Sequence, residues 1–354
     1  MKVMMNKYPR LAKQLSKAGI FRNESVCILD IGCAGGIANG WRVFGSDFVA
    51  YCFDADPLEI ERLIQTETNT KIKYCNAIVG LDDDHPFLEL RKKHQKKSFK
   101  KYFDHWNRTS SVLAKQIISE QGEKFKNKKA VDCLAQTKVN LKDYVKENGI
   151  KHVDFIKIDT DGNDLEVLIS CEEIIRHCGV LGLCIEAPFT YSYLPTENTF
   201  HNIDRLMRKY GFTLYDMDVI RYSRRDLPAF FCDSDIPSKT ISGQVTWADL
   251  VYFRDGGSEY YLEVWDKKLS LIGILKLASF FELFKLPDCA AELINIHKDR
   301  IAKIINPEIL LDTLVPEMEL EGLNNRLSYE DYHRFFRENM PMFMGHGRVN
   351  YLHK

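Results

Sequence analysis

No C-x-x-C pair occurs among the ten cysteines, which stand at 27, 33, 52, 75, 133, 171, 178, 184, 232 and 289. That scatter argues against a dense disulfide framework and the common zinc spacings. Cys27, Cys52 and Cys184 fall inside apolar runs, where a thiol serves as a small buried hydrophobe, so a reducing, cytoplasmic setting is expected. The opening segment MKVMMNKYPRLAKQLSKAG is basic but lacks an apolar stretch long enough for a signal peptide. The greasiest stretch, 269–284, is broken by Lys276 and Glu282; it is too short and too charged to span a bilayer and predicts a buried helix. Charge of one sign is lacking as well, with 49 basic against 50 acidic residues and a formal net charge of −1. The whole-chain balance therefore favours no polyanion; DNA is not an expected partner, and any RNA contact must rest on a local patch. Internal repeats and low-complexity tracts are absent.

What is present is a chain with 45% hydrophobic residues, ample for a packed core. Apolar strand-like runs alternate with helical patterns up to about residue 254, which predicts a parallel sheet built from β-α-β units. Strands are expected at 26–31, 48–53, 71–76, 153–158 and 180–187, with helices near 57–66, 140–147, 163–176 and 197–210. FTLYDMD, IRYSR and QVTWADLVYFRD read as hairpin-forming strands that close the sheet. RDGGSEYY, at 254–261, then punctuates the pattern. The expected division is 1–256, a Rossmann-like, doubly wound, mostly parallel α/β domain that includes an N-terminal helix, and 257–354, an α-helical module. The apolar run of that module suggests packing against the first domain or homo-oligomer formation.

The chemistry begins at SVCILDIGCAGGIANG, 25–40. An apolar strand ends in Asp30 and enters a turn with Gly32, Gly35 and Gly36. A strand, a glycine turn and a following helix present backbone N–H groups to a ligand with no Cβ in the way. A second strand, ending in FDADP, places Asp54 where a carboxylate can accept two hydrogen bonds from a ribose diol; Asp56, before Pro57, is as readily a helix cap. That arrangement suits a dinucleotide or S-adenosylmethionine. The glycines do not have G-x-G-x-x-G spacing, and Asp30 would repel a pyrophosphate while attracting the ammonium and sulfonium end of the methyl donor. S-adenosylmethionine is the expected cofactor, held by Asp30, Gly32, Cys33, Ala34, Gly35, Gly36 and Asp54, with Asn76 and Ala77 near the adenine.

A second constellation lies at VDFIKIDTDGNDLEVL, 153–168. Asp159, Asp161 and Asp164 crowd the carboxyl end of one strand, and Glu186 ends the next, at the edge where doubly wound sheets bind ligands. Any one of these acids could be a helix cap. RKKHQKKSFKKYFDHWNR, 91–108, carries eight Lys/Arg and one acid. It reads either as a solvated helix face or as a lid that grips an anion.

LDIGCAGG, AYCFDADPLEIERL, NAIVG, VDFIKIDTDGNDLEVL, CIEAPFTYSYLPTENTFHNIDRLMRKYGFTLYDMDVIRYSRRD and GQVTWADLVYFRD together resemble the FkbM-family methyltransferases over roughly residues 20–255. The K-I-D-x-[DE]-G element is the more specific part, and the glycine turn is common to many methyltransferases. The family usually has Glu where Asp54 and Asp161 stand, and often Ala in place of Cys33. The resemblance implies S-adenosylmethionine-dependent O-methylation, commonly of a sugar hydroxyl in glycan, lipopolysaccharide or antibiotic pathways. Two other functions fit the residues: an RNA methyltransferase stacking bases on Tyr102, Phe103 and Trp106, or a non-catalytic cofactor-binding assembly protein.

Asp161, Asp159 and Glu186 are the candidate catalytic acids, Asp161 first because it lies in the family-like turn. They would serve as general base or hold Mg²⁺. Arg221, Arg224 and Arg225 suit an acidic or activated sugar, or else form a surface ion-pair cluster with Asp216, Asp218 and Asp226. Tyr191 and Tyr193 could stack on a pyranose or simply pack, and His105 is a second candidate base.

Overall fold

The computed structural model describes residues 5–121, 137–189, 192–229, 239–258, 268–316 and 327–339, without the side chains of 95–105, 115 and 117–121. It divides into two compact units, Cys27–Ala38 with Val49–Arg254, and Lys2–Val26, Asn39–Phe48 and Asp255–Lys354.

The first unit is organised by β1 (Val26–Ile31), β2 (Phe48–Asp54), β3 (Ile72–Asn76), β4 (Ile78–Val79), β5 (Lys138–Val139), β6 (Phe155–Ile158), β7 (Gly182–Pro188), β8 (Thr213–Tyr222) and β9 (Gln244–Phe253). Seven of them form one sheet in the order β3-β2-β1-β6-β7-β9-β8, while β4 and β5 pair separately. β2–β3, β1–β6 and β6–β7 are parallel, and β9 runs antiparallel between β7 and β8. This is the Rossmann-like, doubly wound, mostly parallel α/β fold that the sequence predicts. Strand order reverses between β1 and β6, and the crevice outside the carboxyl ends of those strands is where such sheets bind ligands.

The strands form where they do because both sheet faces are covered, so a continuous apolar run such as VCILDI is buried throughout. One face carries Leu29, Ile31, Ile156, Ile158, Leu183, Ile185, Leu250 and Tyr252 into the main core. The same core takes Leu141 and Val145 from one helix (Leu141–Glu147), Leu165 and Leu168 from a second (Asp164–Ser170), and Ile203 and Met207 from a third (Phe200–Lys209). The opposite face, by register, carries Asp30, Lys157 and Cys184 in one row and Glu186 and Asp249 in another. The helix expected over 163–176 is two, Asp164–Ser170 and Glu172–His177, meeting at Cys171. FTLYDMD and IRYSR belong to one strand, β8, with a register irregularity between Ile220 and Arg221. The basic segment is helical from Pro86 to Asn107, and a second helix follows at Ser110–Gln121.

The second unit joins a helix at Arg10–Lys17 and a 3₁₀ segment at Asn39–Asp47 to helices at Leu271–Leu283, Pro287–Ile296, Lys298–Ile301, Pro307–Leu314 and Tyr329–Glu338. One unit boundary falls between Arg254 and Asp255, and the N-terminal helix groups with the C-terminal helices. Its first turn has no side-chain cap of its own. Glu282 supplies one from about 270 residues away, accepting from the backbone N–H of Arg10 (2.6 Å), Leu11 (2.8 Å) and Ala12 (2.9 Å). A carboxylate there satisfies three orphan donors and meets the positive end of the helix dipole. Trp41 packs edge-on against Phe280, 5.4 Å between centroids. Lys276, fully buried within the unit, donates to the Glu24 carboxylate and the Ser25 carbonyl, each at 3.0 Å. Glu282→Ala is expected to lower the stability of the full chain by about 2–4 kcal/mol, because three N–H groups lose a charged acceptor. A shift in the urea denaturation midpoint at unchanged slope checks this.

Candidate active site

The glycine turn leaves β1 at Ile31, where the Asp159 N–H donates to the Ile31 carbonyl at 2.9 Å. Gly32 has φ +80°, and an added Cβ would fall on the carbonyl oxygen of Asp159. No other residue fits there, because the turn backs directly onto the chain leaving β6. The turn's donors are largely used within the protein. Gly32 and Cys33 N–H reach the Phe53 carbonyl at 2.8 and 3.1 Å, Gly36 N–H that of Cys33 at 2.8 Å, and Gly35 N–H the Glu59 carboxylate at 2.8 Å. The next regular element is the 3₁₀ segment and not an α-helix, so the helix N-terminus expected after the turn is absent. This is a poor pyrophosphate cradle. Ala34 and Gly35 are exposed, whereas the Cys33 side chain is buried and hydrogen-bonded with Cys52.

Asp30 stands at the sheet's switch point, 2% exposed. Lys157 Nζ lies 3.4 Å from Asp30 Oδ1 and 3.2 Å from Asp159 Oδ2, and it donates to the Gly32 carbonyl. The angle of the first contact leaves Asp30 Oδ1 buried without a hydrogen-bond donor among the described residues. Burial pushes the Asp30 carboxyl above its ordinary range, and the Lys157 charge opposes it. Burial pulls the Lys157 ammonium down, but Asp30 and Asp159 outweigh that and raise it. An orphaned acceptor beside a tight glycine turn suits the cationic end of S-adenosylmethionine.

Asp54 ends β2 with one carboxylate oxygen on the Asp56 N–H at 2.9 Å. Its backbone carbonyl receives the Ala77 N–H at 3.0 Å and the Asn76 side-chain amide at 3.1 Å. Asp54, Asn76 and Ala77 therefore meet at adjacent strand ends, as the cofactor assignment requires. Asp56 is the helix cap, accepting from Leu58 and Glu59 N–H ahead of the helix Pro57–Thr66.

The acids sort into distinct roles. Asp164 is buried and accepts from Thr160 N–H (2.8 Å), Gly162 N–H (3.2 Å) and the Asn198 amide (2.8 Å). It builds the turn and has no capacity left for chemistry. Asp161 is exposed, in a left-handed conformation with φ +51°. Asp159 follows β6 and Glu186 lies near the end of the neighbouring β7, close enough for each to feel the other's charge. Burial, then the charges of Asp159, Asp164 and Asp249, push the Glu186 carboxyl up to about 9, so Glu186 holds its proton at neutral pH. Asp249, directly opposite Glu186 in the β7–β9 register, is a site residue the sequence reading missed. Its signal was present, a carboxylate inside an otherwise apolar strand. Among the described residues no group of three or more His, Cys, Asp or Glu is arranged to hold a metal ion, so the Mg²⁺ expectation gains no support from the geometry.

On the acceptor side, the Arg221 guanidinium donates to the Gly243 carbonyl at 3.1 Å, and that of Arg224 to the Gln244 side chain. Arg225 lies 3.6 Å from Asp226. Tyr191 lies outside the described residues; Tyr193 is 80% exposed. The side chains of Tyr102, Phe103 and His105 are outside the described set. Arg91, at the head of the basic stretch, is already paired with Glu166 at 2.6 Å. The eight described cysteines are free thiols, and no described helix is long and apolar enough to cross a membrane.

The family model described as the methyltransferase FkbM domain matches residues 45–214, from just before β2 to the start of β8. The chain carries an FkbM methyltransferase domain and is an S-adenosylmethionine-dependent methyltransferase. Similar solved structures include a TehB-like SAM-dependent methyltransferase from Corynebacterium glutamicum ATCC 13032 Kitasato, at 11% identity and a TM-score of 0.28 over 68% of this chain and 87% of that one. Another is the magnesium protoporphyrin IX methyltransferase of Synechocystis PCC 6803 with bound SAM, at 10% identity and a TM-score of 0.27 over 69% and 80%. No curated protein matches the chain in sequence at a significant level. The fold assignment rests on strand order and direction and not on these likenesses.

Proposed function

We propose that the protein transfers a methyl group to a hydroxyl of a sugar, in a glycan or an activated-sugar acceptor. The observation that carries this is the nearness of the Asp159 and Glu186 carboxyl groups, with the Asp159 backbone against the glycine turn at Gly32. An alcohol is a poor nucleophile, so its proton must leave as the new O–C bond forms. When bound, S-adenosylmethionine supplies the electrophilic methyl group and departs as S-adenosylhomocysteine. Asp159 and Glu186 orient the hydroxyl, and the ionised form of Glu186, populated as pH rises toward 9, accepts its proton. Lys157 holds Asp159 in place and balances its charge. Asp161 stands on the neighbouring turn, exposed to the acceptor side, and is the second candidate for the base.

Incubating the enzyme with S-adenosylmethionine and a panel of sugars, then following S-adenosylhomocysteine release and the mass of the product, tests this reading. A methylated amine or carboxylate, with no methyl ether formed from any sugar, would overturn it. Asp54→Ala is expected to weaken S-adenosylhomocysteine binding about tenfold or more, since a charged acceptor to a ribose diol is worth about 1.5–3 kcal/mol. Calorimetry reads that loss directly, and unchanged affinity would place the ribose elsewhere.

A further inference from the structure

The long basic helix is fastened to the sheet-bearing unit at both ends. Near its start, Arg91 reaches Glu166 at 2.6 Å and Asn163 at 3.1 Å, and His94 Nδ1 lies 2.9 Å from Thr196 Oγ1. Just beyond its end, Ser110 N–H donates to the Ser223 carbonyl at 2.9 Å, Arg225 N–H to the Arg108 carbonyl at 3.0 Å, and Thr109 bridges to Arg224. The first anchors follow β6 and β7, and the last lies at the end of β8. A helix of 22 residues spans about 33 Å, long enough to run from the loops after β6 and β7 to the end of β8. What it delivers there is Trp106, whose ring centroid lies 5.8 Å from Tyr222 and 6.1 Å from Trp247. Tyr222 and Trp247 are 5.3 Å apart.

Resting on the O-methyltransfer reading, we propose that Trp106 and Trp247, backed by the buried Tyr222, form the platform on which the acceptor sugar lies, and that the acceptor is a neutral glycoside. Trp247 is two residues from Asp249 on β9, on the same face as Glu186, which sets it about 7 Å along the strand from the acid row. Both tryptophans are only half-buried, whereas a purely structural cluster of this size would be closed off. A pyranose offers an apolar C–H face to an aromatic plane and a rim of hydroxyls to carboxylates. The rim here is acidic: Asp218, Asp249 and Glu186 stand in register on three adjacent strands, followed by Asp159. That row repels phosphate and nucleic acid, while Arg221 and Arg224 each use one donor on Gly243 and Gln244, and Arg224 keeps a buried Nη1 with no partner among the described residues. Charge complementarity therefore selects a neutral, polyhydroxylated ring.

The test is tryptophan fluorescence of the full chain saturated with S-adenosylhomocysteine. The titrants are neutral methyl hexopyranosides, the matching hexose phosphates, and nucleosides. A saturable change with at least one neutral glycoside is expected, weakened about tenfold or more in Trp106→Ala and Trp247→Ala, with cofactor affinity unchanged. Trp106→Phe and Trp247→Phe retain an aromatic face and should recover most of the binding, which separates a platform from a folding requirement. The proposal is overturned if no neutral glycoside binds, if only phosphates or nucleosides do, or if both alanine variants bind like the parent. A glycoside that binds through these residues but is never methylated would preserve the platform and refute the O-methyltransfer reading instead.

Discussion

Lys157→Met is expected to abolish measurable S-adenosylhomocysteine binding and to lower stability by about 3–5 kcal/mol, the usual result of removing one partner of a buried charge pair. The Lys157 side chain is 11% exposed and that of Asp30 3%. Without the ammonium, Asp30 loses its counter-charge and the Gly32 carbonyl loses a donor, so the turn and the carboxylate proposed to hold the cofactor are both released. The pH dependence has a definite sign. Asp30 is already raised by burial and rises further in the variant, so it contributes stability below its unfolded value of 3.8 that is lost as pH climbs through the folded one. The variant's denaturation midpoint should therefore fall between about pH 4 and pH 7 more steeply than the parent's. Asp30→Asn combined with Lys157→Met should restore much of the stability, but not the binding, because the two residues are directly coupled. Parental affinity in Lys157→Met would show that the cofactor turn is held by other contacts.

The main sheet was legible because parallel strands buried on both faces leave continuous apolar runs, and each such run ends at a charge or a glycine. β1 is the clearest instance, and the Asp56–Pro57 cap fixes the next helix start as its residue types suggest. Lys157 was hidden for the same reason that β6 was visible. A lone lysine inside FIKI looks like a tolerated interruption of a strand, although lysine is almost never buried unless paired. Its partners, Asp30 and Asp159, meet it only through the β1–β6 register. Asp249 and Trp247 likewise enter the site only because β9 turns back antiparallel between β7 and β8, a pairing that periodicity does not encode. The N-terminal helix was assigned to the sheet by adjacency in sequence, whereas its cap, Glu282, comes from the far end of the chain. The helix expected after the glycine turn failed for a local reason: Gly35, Gly36, Gly40 and Gly45 make a regular α-helix costly there. Asp164 was grouped with the reactive acids, but its hydrogen bonds to Thr160, Gly162 and Asn198 identify it as the residue that shapes their loop.

Glu186→Gln should separate chemistry from stability. Glutamine keeps the shape and the donor of the protonated acid, so the contact to Asp159 survives, but it cannot take up a proton. Near pH 9 and above, where Glu186 is ionised, turnover is expected to fall by about 10²–10⁴-fold, the usual contribution of a general base, with cofactor affinity close to the parent's. Stability should move the other way. The Glu186 carboxyl is raised from 4.5 to about 9, so its stabilising contribution is complete below 4.5 and is lost as pH rises through the folded value. Relative to the variant, the parent therefore becomes steadily less stable across that window, by an amount on the order of 2 kcal/mol at neutral pH after solvent screening of a partly buried group. Thermal melts of the two proteins should nearly coincide near pH 4 and diverge with the variant ahead as pH increases. The parent's kcat should rise with pH toward the titration of Glu186, and the variant's profile should be flat there. Parental turnover in Glu186→Gln, together with a large loss in Asp161→Asn, would move the base to the exposed turn. Melts that stay parallel across the window would show that Glu186 holds no proton there.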